Sequence, residues 1–245
     1  MAKELTINNY LVPQILLAEK DYLVVFKPPL MHSAPLKNSN NETLLDWCCG
    51  EFPEVKNLTG RKEGEGGLLH RLDYETQGLI LFARTKKGME SLMGQQKEGR
   101  IIKEYSALAA ETKTTLPGFP IKNFPSQMNK FAVESAFRPY GVGRKAVRPV
   151  LEGEKQYKTE ILLIKKLSLS IISLKLKIIN GFRHQIRCHL AWMGTPVLND
   201  SLYGGVSLGN GLFALRAVSL SFKDFATDKD LTYCIKALDN KDLAL

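Results

Sequence analysis

The stretch "HRLDYETQGLILFAR", residues 70–84, changes character halfway along. Its first residues are polar and turn-forming, whereas "GLILFAR" (78–84) is almost unbroken apolar sequence, the pattern of a strand buried on both faces. Asp73 stands just ahead of that strand, behind Arg71 and Leu72. An Asp followed three residues later by a Thr is common in turns, where neighbouring backbone satisfies the carboxylate. The other reading is a nucleophile displayed at the edge of a sheet. These residues alone leave both open.

Upstream, "ILLAEKDYLVVF" (15–26) reads as two short strands around a charged turn. "KPP" (27–29) ends the second, because Pro cannot continue a ladder. The polar run "KNSNNE" (37–42) offers caps for a helix from Glu42 to Gly50, with Leu44, Leu45 and Cys48 at helical spacing and Gly50 as C-cap. Residues 51–67 form a polar, Gly-rich connection.

Downstream, residues 86–100 place Met89, Leu92 and Met93 on one helical face, and "IIKEYSALAA" (101–110) reads as a strand. From 111 to 150 periodicity fades while Pro, Gly and basic residues accumulate, which predicts a surface insertion. Its "GVGRKA" (141–146) reads as a basic loop, since Pro149 stops any helix that a nucleotide cradle would need. Residues 157–179 give two strands, with a bulge expected at Ile171 and Ile172. "GFRHQIRCHLAWMG" (181–194) reads as a helix with Ile186, Leu190 and Met193 on one face, Gly194 as C-cap, and Arg183 and Arg187 one turn apart. Val218, Leu220 and Phe222 alternate as a late strand.

The chain has 245 residues, 44% of them apolar, enough for a substantial core in one large or one two-lobed domain. Thirty-four Lys and Arg against 25 Asp and Glu leave a net charge of +9, which suits a polyanionic partner such as nucleic acid. No apolar run approaches the roughly 20 residues that cross a bilayer, and the N-terminus lacks a secretory pattern, so a soluble cytoplasmic protein is expected. The four cysteines form neither a disulfide framework nor a metal knuckle, and His184 and His189 are spaced wrongly for a shared zinc. No metal site is expected.

Several stretches taken together resemble one family. "HRLDYETQGLILFAR" resembles the HRLDxxTSGLLL motif of the RluA-type pseudouridine synthases, and "KEYSALA" (103–109) resembles that family's KEY segment. "GFRHQIRCHLAWMGTPVLNDSLYGG" (181–205) is similar to its GRTHQIRxHLxxxGxPxxGDxLYG block. "ILLAEKDYLVVFKPP" and "FALRAVSLSF" (213–222) look like family strands. Signatures in the right order over residues 15–225 make coincidence a poor explanation.

The resemblance implies an α+β fold, a central, largely antiparallel mixed sheet in two subdomains flanking an active-site cleft. It places a catalytic domain at 15–225, containing the basic insertion 111–150, between a short extension (1–14) and a tail (226–245) of the same domain. It implies isomerisation of uridine to pseudouridine in structured RNA, ribosomal or transfer RNA, with no cofactor. Fourteen residues before Ile15 are too few for a separate N-terminal RNA-binding domain, so target choice would rest on the catalytic domain and on Lys122, Lys130, Arg138, Arg144, Lys145 and Arg148 of the insertion. No membrane and no obligate protein partner is expected, and a monomer is.

By the same resemblance Asp73 is the essential carboxylate, acting as nucleophile or as base toward the sugar, and Arg187 is its salt-bridge partner. Tyr105 lies against the target base, and Arg71 holds the flipped nucleotide out of the stack. His70, Arg183 and His184 either contact phosphate or ribose or support the site by hydrogen bonding. The chain departs from the family pattern at Tyr74, Gln77, Asn199 and the run Asn180-Gly181-Phe182-Arg183, where Tyr74 and Phe182 offer stacking in place of charge. Two rival readings are a noncatalytic RNA-binding protein on the same scaffold, and a hydrolase using Asp73 and Glu75 as paired carboxylates on one face of a strand.

Overall fold

The computed structural model describes residues 2–36, 41–60, 62–112, 115–121, 130–209, 211–225, 227–239 and 241–242. Its strands, in chain order, are β1 (Lys3–Glu4), β2 (Gln14–Ala18), β3 (Tyr22–Lys27), β4 (Gln77–Ala83), β5 (Ile102–Ala110), β6 (Phe131–Tyr140), β7 (Ala146–Val150), β8 (Tyr157–Lys166), β9 (Ile171–Ile178), β10 (Leu215–Lys223) and β11 (Asp230–Cys234). The helices are α1 (Leu44–Glu51), α2 (Lys86–Lys97) and α3 (Gln185–Met193). The α+β class expected from the motifs is the one observed. The chain divides into two compact units, Met1–Lys103 with Arg216–Lys236, and Glu104–Leu215 with Ala237–Leu245.

The first unit is built on the two apolar runs. Every residue of β3 and of β4 is buried, and the two pair antiparallel from Tyr22 with Ala83 to Lys27 with Gly78. On its other side β4 runs parallel to β10, and β10 pairs antiparallel with β11. Gly78 makes the parallel pairing feasible: its φ is 129°, and a Cβ there would lie 2.3 Å from the Ala217 carbonyl oxygen. Phe26, Leu79, Leu81, Met89, Leu92 and Leu220 share one core, so the apolar stripe of α2 packs where its spacing predicts.

Helix α1 starts at Leu44, two residues later than the expected start at Glu42. Thr43 caps it: the Asp46 N–H donates to Thr43 Oγ1 at 3.3 Å, and the Thr43 N–H donates back to Asp46 Oδ2 at 3.0 Å. Residues 37–40 of the expected cap region lie outside the described residues. Gly50 sits inside the last turn, and the helix ends at Phe52, whose backbone must leave the helical region because Pro53 follows. The stretch read as an N-terminal extension contributes β1, which pairs parallel with β11, and Leu5 to the core.

In the second unit β6, β7, β8 and β9 form an antiparallel set, with β7 paired to β6, β6 to β8 and β8 to β9. This corrects the reading of 111–150 as a surface insertion, since β6 and β7 are ladder strands with Val133, Ala136, Ala146 and Val147 buried. Their alternation is blurred for a physical reason. Ser135 faces inward because its hydroxyl meets His189 Nε2 at 3.0 Å, while Ala132 faces outward. Pro149 is tolerated because β7 ends the strand order, where a missing N–H costs least. "GVGRKA" is the loop of this hairpin, with Gly141, Gly143 and Arg144 at positive φ. Of the basic residues named there, Lys122 lies outside the described residues.

The bulge expected at Ile171 and Ile172 lies instead in the partner strand, between Ile161 and Leu163. The apparent change of phase arises because residues 168–170 are a bend ahead of β9, after which Ile172, Leu174, Leu176 and Ile178 alternate inward cleanly. Gly194 caps α3 in the left-handed region, φ 83°, as its position predicts.

Candidate active site

Residues 70–76 carry the opening motif into β4. His70 is buried and its Nε2 accepts the Leu81 N–H at 3.3 Å, so the ring braces the neighbouring ladder. The Ser33 hydroxyl clamps Leu72 from both sides, donating to its carbonyl at 2.9 Å and accepting its N–H at 3.0 Å. The Thr76 N–H donates to the Asp73 carbonyl at 3.1 Å, closing a turn. Asp73 therefore lies half-buried in a turn, not on a strand, and the one-face pairing of Asp73 with Glu75 that a hydrolase would need has no strand to carry it.

Beneath the turn lies Lys27, with no exposed surface. Its ammonium donates to the carbonyls of Met31 at 2.7 Å, Pro28 at 2.8 Å and Tyr74 at 3.2 Å. The segment 28–33 and the motif turn are thus tied through one nitrogen. Burial pulls the Lys27 pKa down to about 7, against the nearby charges of Asp73 and Glu75, which raise it. The His32 and Tyr74 rings pack 4.6 Å apart across the same junction. Arg71 is half-exposed and reaches Glu65 at 3.5 Å. Gln77, a departure from the family pattern, accepts from Arg216 Nε at 3.2 Å, and these two residues are register partners in β4 and β10.

The second unit places four named residues. Tyr105 sits in β5 with 5% of its surface exposed. His184 stands at φ 55° immediately before α3, so Arg183 lies ahead of the helix and the expected one-turn spacing of Arg183 and Arg187 is not realised. The left-handed step turns Arg183 toward the β6–β7 hairpin, where it donates to the carbonyls of Arg144 at 2.9 Å and Ala146 at 3.1 Å. Arg187 points inward from α3 and pairs with Asp200, Nε to Oδ2 at 2.8 Å and Nη2 to Oδ1 at 2.9 Å. The Phe213 and Tyr203 rings lie 4.8 and 5.5 Å from its guanidinium. The Tyr203 hydroxyl is 3.4 Å from His184 Nδ1 and holds both backbone groups of Val147. Gly205 must be a glycine, since a Cβ there would come 2.0 Å from the Val197 carbonyl oxygen.

Reasoning from the sequence did not single out Lys27, Ser33, Asp200 or Tyr203. Asp200 and Tyr203 were signalled, because both fall in the quoted "NDSLYGG" block. Lys27 offers a fainter signal: it continues a run of buried strand residues and precedes two prolines that supply carbonyls but no N–H. Ser33 has none that we can identify. Among the described residues no group of His, Cys, Asp and Glu is arranged to hold a metal ion, and no helix is long and apolar enough to cross a membrane.

Residues 21–192 match the family model described as RNA pseudouridylate synthase. The chain is 28% identical over 236 residues to an uncharacterized RNA pseudouridine synthase of Helicobacter pylori, covering 92% of this chain and 66% of that one. It is 27% identical over 195 residues to ribosomal large subunit pseudouridine synthase D of Pasteurella multocida, covering 78% of this chain and 52% of that one. It thus spans between half and two thirds of the length of these relatives. Two solved human structures share the fold. RNA Pseudouridylate Synthase Domain Containing 1 has a TM-score of 0.64 at 20% identity, covering 94% of this chain and 85% of that one. Domain Containing 4 has a TM-score of 0.62 at 19% identity, covering 94% and 90%. The match to the family model takes in more than half of the chain, including the Asp73 turn, the KEY segment and the Arg187 helix, and the protein belongs to the RNA pseudouridylate synthase family, of the RluA type.

Proposed function

We propose that the chain converts uridine to pseudouridine in structured RNA, without a cofactor and in the cytoplasm, with Asp73 as the attacking carboxylate. The observation that carries this reading is the bracing of the Asp73 turn, with Leu72 clamped by Ser33 on one side and the Tyr74 carbonyl held by Lys27 on the other. A nucleophile must be held in one direction before it reacts, and a turn fastened at both flanking residues fixes the direction of the residue between them. Asp73 attacks the sugar at C1′ and the N1–C1′ bond breaks. The uracil turns in place, its C5 bonds to C1′ as the carboxylate departs, and the C5 proton is lost while N1 gains one. No atom is added or removed overall. Tyr105 and Arg187 take the roles that the motif resemblance assigns them, and Arg71 takes the place of the flipped nucleotide.

Ribosomal RNA is the first substrate class to examine, because relatives such as that of Pasteurella multocida are named for the large ribosomal subunit. The test is to map pseudouridines in total RNA from cells with and without the gene, then restore wild type or Asp73→Asn. A site that disappears and returns only with wild type supports the reading. Asp73→Asn should lose at least about a thousandfold in turnover with little loss of RNA affinity, as removal of a covalent nucleophile does. Substantial residual activity would sink the nucleophile assignment, and release of free uracil would point to a hydrolase.

A further inference from the structure

Phe182 occupies a position where the family block carries a basic residue, and it keeps 38% of its surface exposed. Its ring stacks on Phe137 of β6, with centroids 5.0 Å apart and planes within 9°, and meets Tyr157 of β8 at 5.0 Å. Phe137 in turn rests on the buried His189 ring at 5.0 Å. The loop beneath Phe182 is fastened at two points. Its N–H donates to Gln185 Oε1 at 3.0 Å, while Gln185 Nε2 donates to the Lys158 carbonyl at 3.0 Å and to Thr159 Oγ1 at 3.2 Å. The exposed ring is therefore a rigid extension of the β6 and β8 surface.

Cations lie beside it, although the exposed Glu152 and Glu154 precede Lys155 in the chain. The Lys155 ammonium lies 5.3 Å from the centre of the Tyr157 ring. The next residue, Arg183, holds the β6–β7 loop by its Arg144 and Ala146 carbonyls, and that loop carries the exposed side chains of Arg144 and Lys145. Apolar surface meant for another protein excludes lysine from its centre, whereas surfaces for unpaired nucleic acid interleave aromatic rings with cations.

We propose that Phe182, backed by Phe137 and Tyr157, is a platform on which an unpaired base of the RNA stacks, with Lys155, Arg144 and Lys145 meeting the phosphates beside it. This rests on the reading of the chain as acting on RNA and adds a binding site to it. The platform accepts any base, because every base has a π-face, so it contributes affinity for unpaired segments without reading sequence.

The experiment compares binding of a short single-stranded oligouridine with that of an abasic ribose-phosphate chain of equal length. The proteins are wild type, Phe182→Ala, Phe182→Leu and Phe182→Trp, each checked for an unchanged melting temperature. Phe182→Ala and Phe182→Leu should weaken oligouridine binding roughly tenfold, the loss of one stacked base, and leave the abasic chain unaffected. Phe182→Leu keeps apolar cover over Phe137, so its loss cannot be assigned to packing. Phe182→Trp should restore affinity, with an emission that oligouridine quenches and the abasic chain does not. Equal affinity in wild type and Phe182→Ala would overturn the platform, as would equal losses for both chains or no preference of wild type for the base-bearing one. So would a change in self-association with RNA binding unaltered, which would mark a protein contact. Pseudouridine formation by wild type is scored in parallel. If it is absent while Phe182 governs oligouridine binding, the enzymatic reading fails and the platform stands. If it is present and Phe182 is silent, only the platform fails.

Discussion

Among the buried cations, Lys27 of the first unit and Arg187 of the second stand next to the two principal motifs, and they are held in opposite ways. In the second unit the Arg187 guanidinium meets a carboxylate of matching shape, Asp200, through two bonds of 2.8 and 2.9 Å. In the first, the Lys27 ammonium donates to neutral carbonyls, those of Pro28, Met31 and Tyr74, while Asp73 and Glu75 act on it as nearby charges. A guanidinium does not titrate in any accessible range, and its planar fork suits a carboxylate. An ammonium is compact, strongly hydrated in water and readily neutralised by burial, which is why Lys27 is drawn down to about 7. The Arg187 guanidinium is thus permanently charged, whereas the support under the Asp73 turn changes charge near neutrality.

The largest expected effect comes from breaking the matched pair. Asp200→Ala takes the two-bond carboxylate from a buried guanidinium and should lower the unfolding free energy by about 3–5 kcal/mol, read from urea midpoints. Replacing both partners, Arg187→Leu with Asp200→Leu, should recover most of that loss. A double variant as unstable as the single one would show that the pair itself, and not an orphaned charge, supplies the stability.

Lys27 predicts a pH dependence. Its folded pKa of about 7 lies below the ordinary lysine value of 10.5, so above pH 7 the unfolded chain holds a proton that the folded chain has released. Stability should therefore rise with pH through this window, by up to about 1.4 kcal/mol per pH unit. The thiols of Cys48 and Cys188 and the phenols of Tyr22 and Tyr203, all pushed up by burial, oppose this rise above about pH 9. Lys27→Met should flatten the rise; an unchanged slope in that variant would mean that Lys27 keeps its proton when folded. The smallest effect is expected from Glu75→Gln, which removes one of the two charges favouring the ammonium. The rise should then begin at slightly lower pH, by a few tenths of a unit, and a shift the other way would contradict the electrostatic coupling across the turn.

Local chemistry was legible where one residue type answers one local demand. The apolar runs of β3 and β4, the stripe of α2 and the glycine cap of α3 sit where periodicity places them. The motif turn was legible because Asp73 and Thr76 stand at turn spacing and Gly78 fills a position where a Cβ would clash. Strand β6 was not, since its inward Ser135 is polar on account of His189, 54 residues away. The offset of Arg183 from α3 was hidden too, because a left-handed His184 has no signature in helical spacing.

By itself, then, the sequence determined the family, the class of fold, the turn that carries Asp73 and the helix that carries Arg187. Only the tertiary structure decided what closes over the buried charges. Lys27 binds a carbonyl 47 positions away, Ser33 clamps a residue 39 away, and Arg187 finds its carboxylate across 13. A hydrophobic pattern specifies which face leaves water. The partner that then satisfies a polar group on that face comes from another part of the chain, and its identity follows from packing geometry that no local window contains.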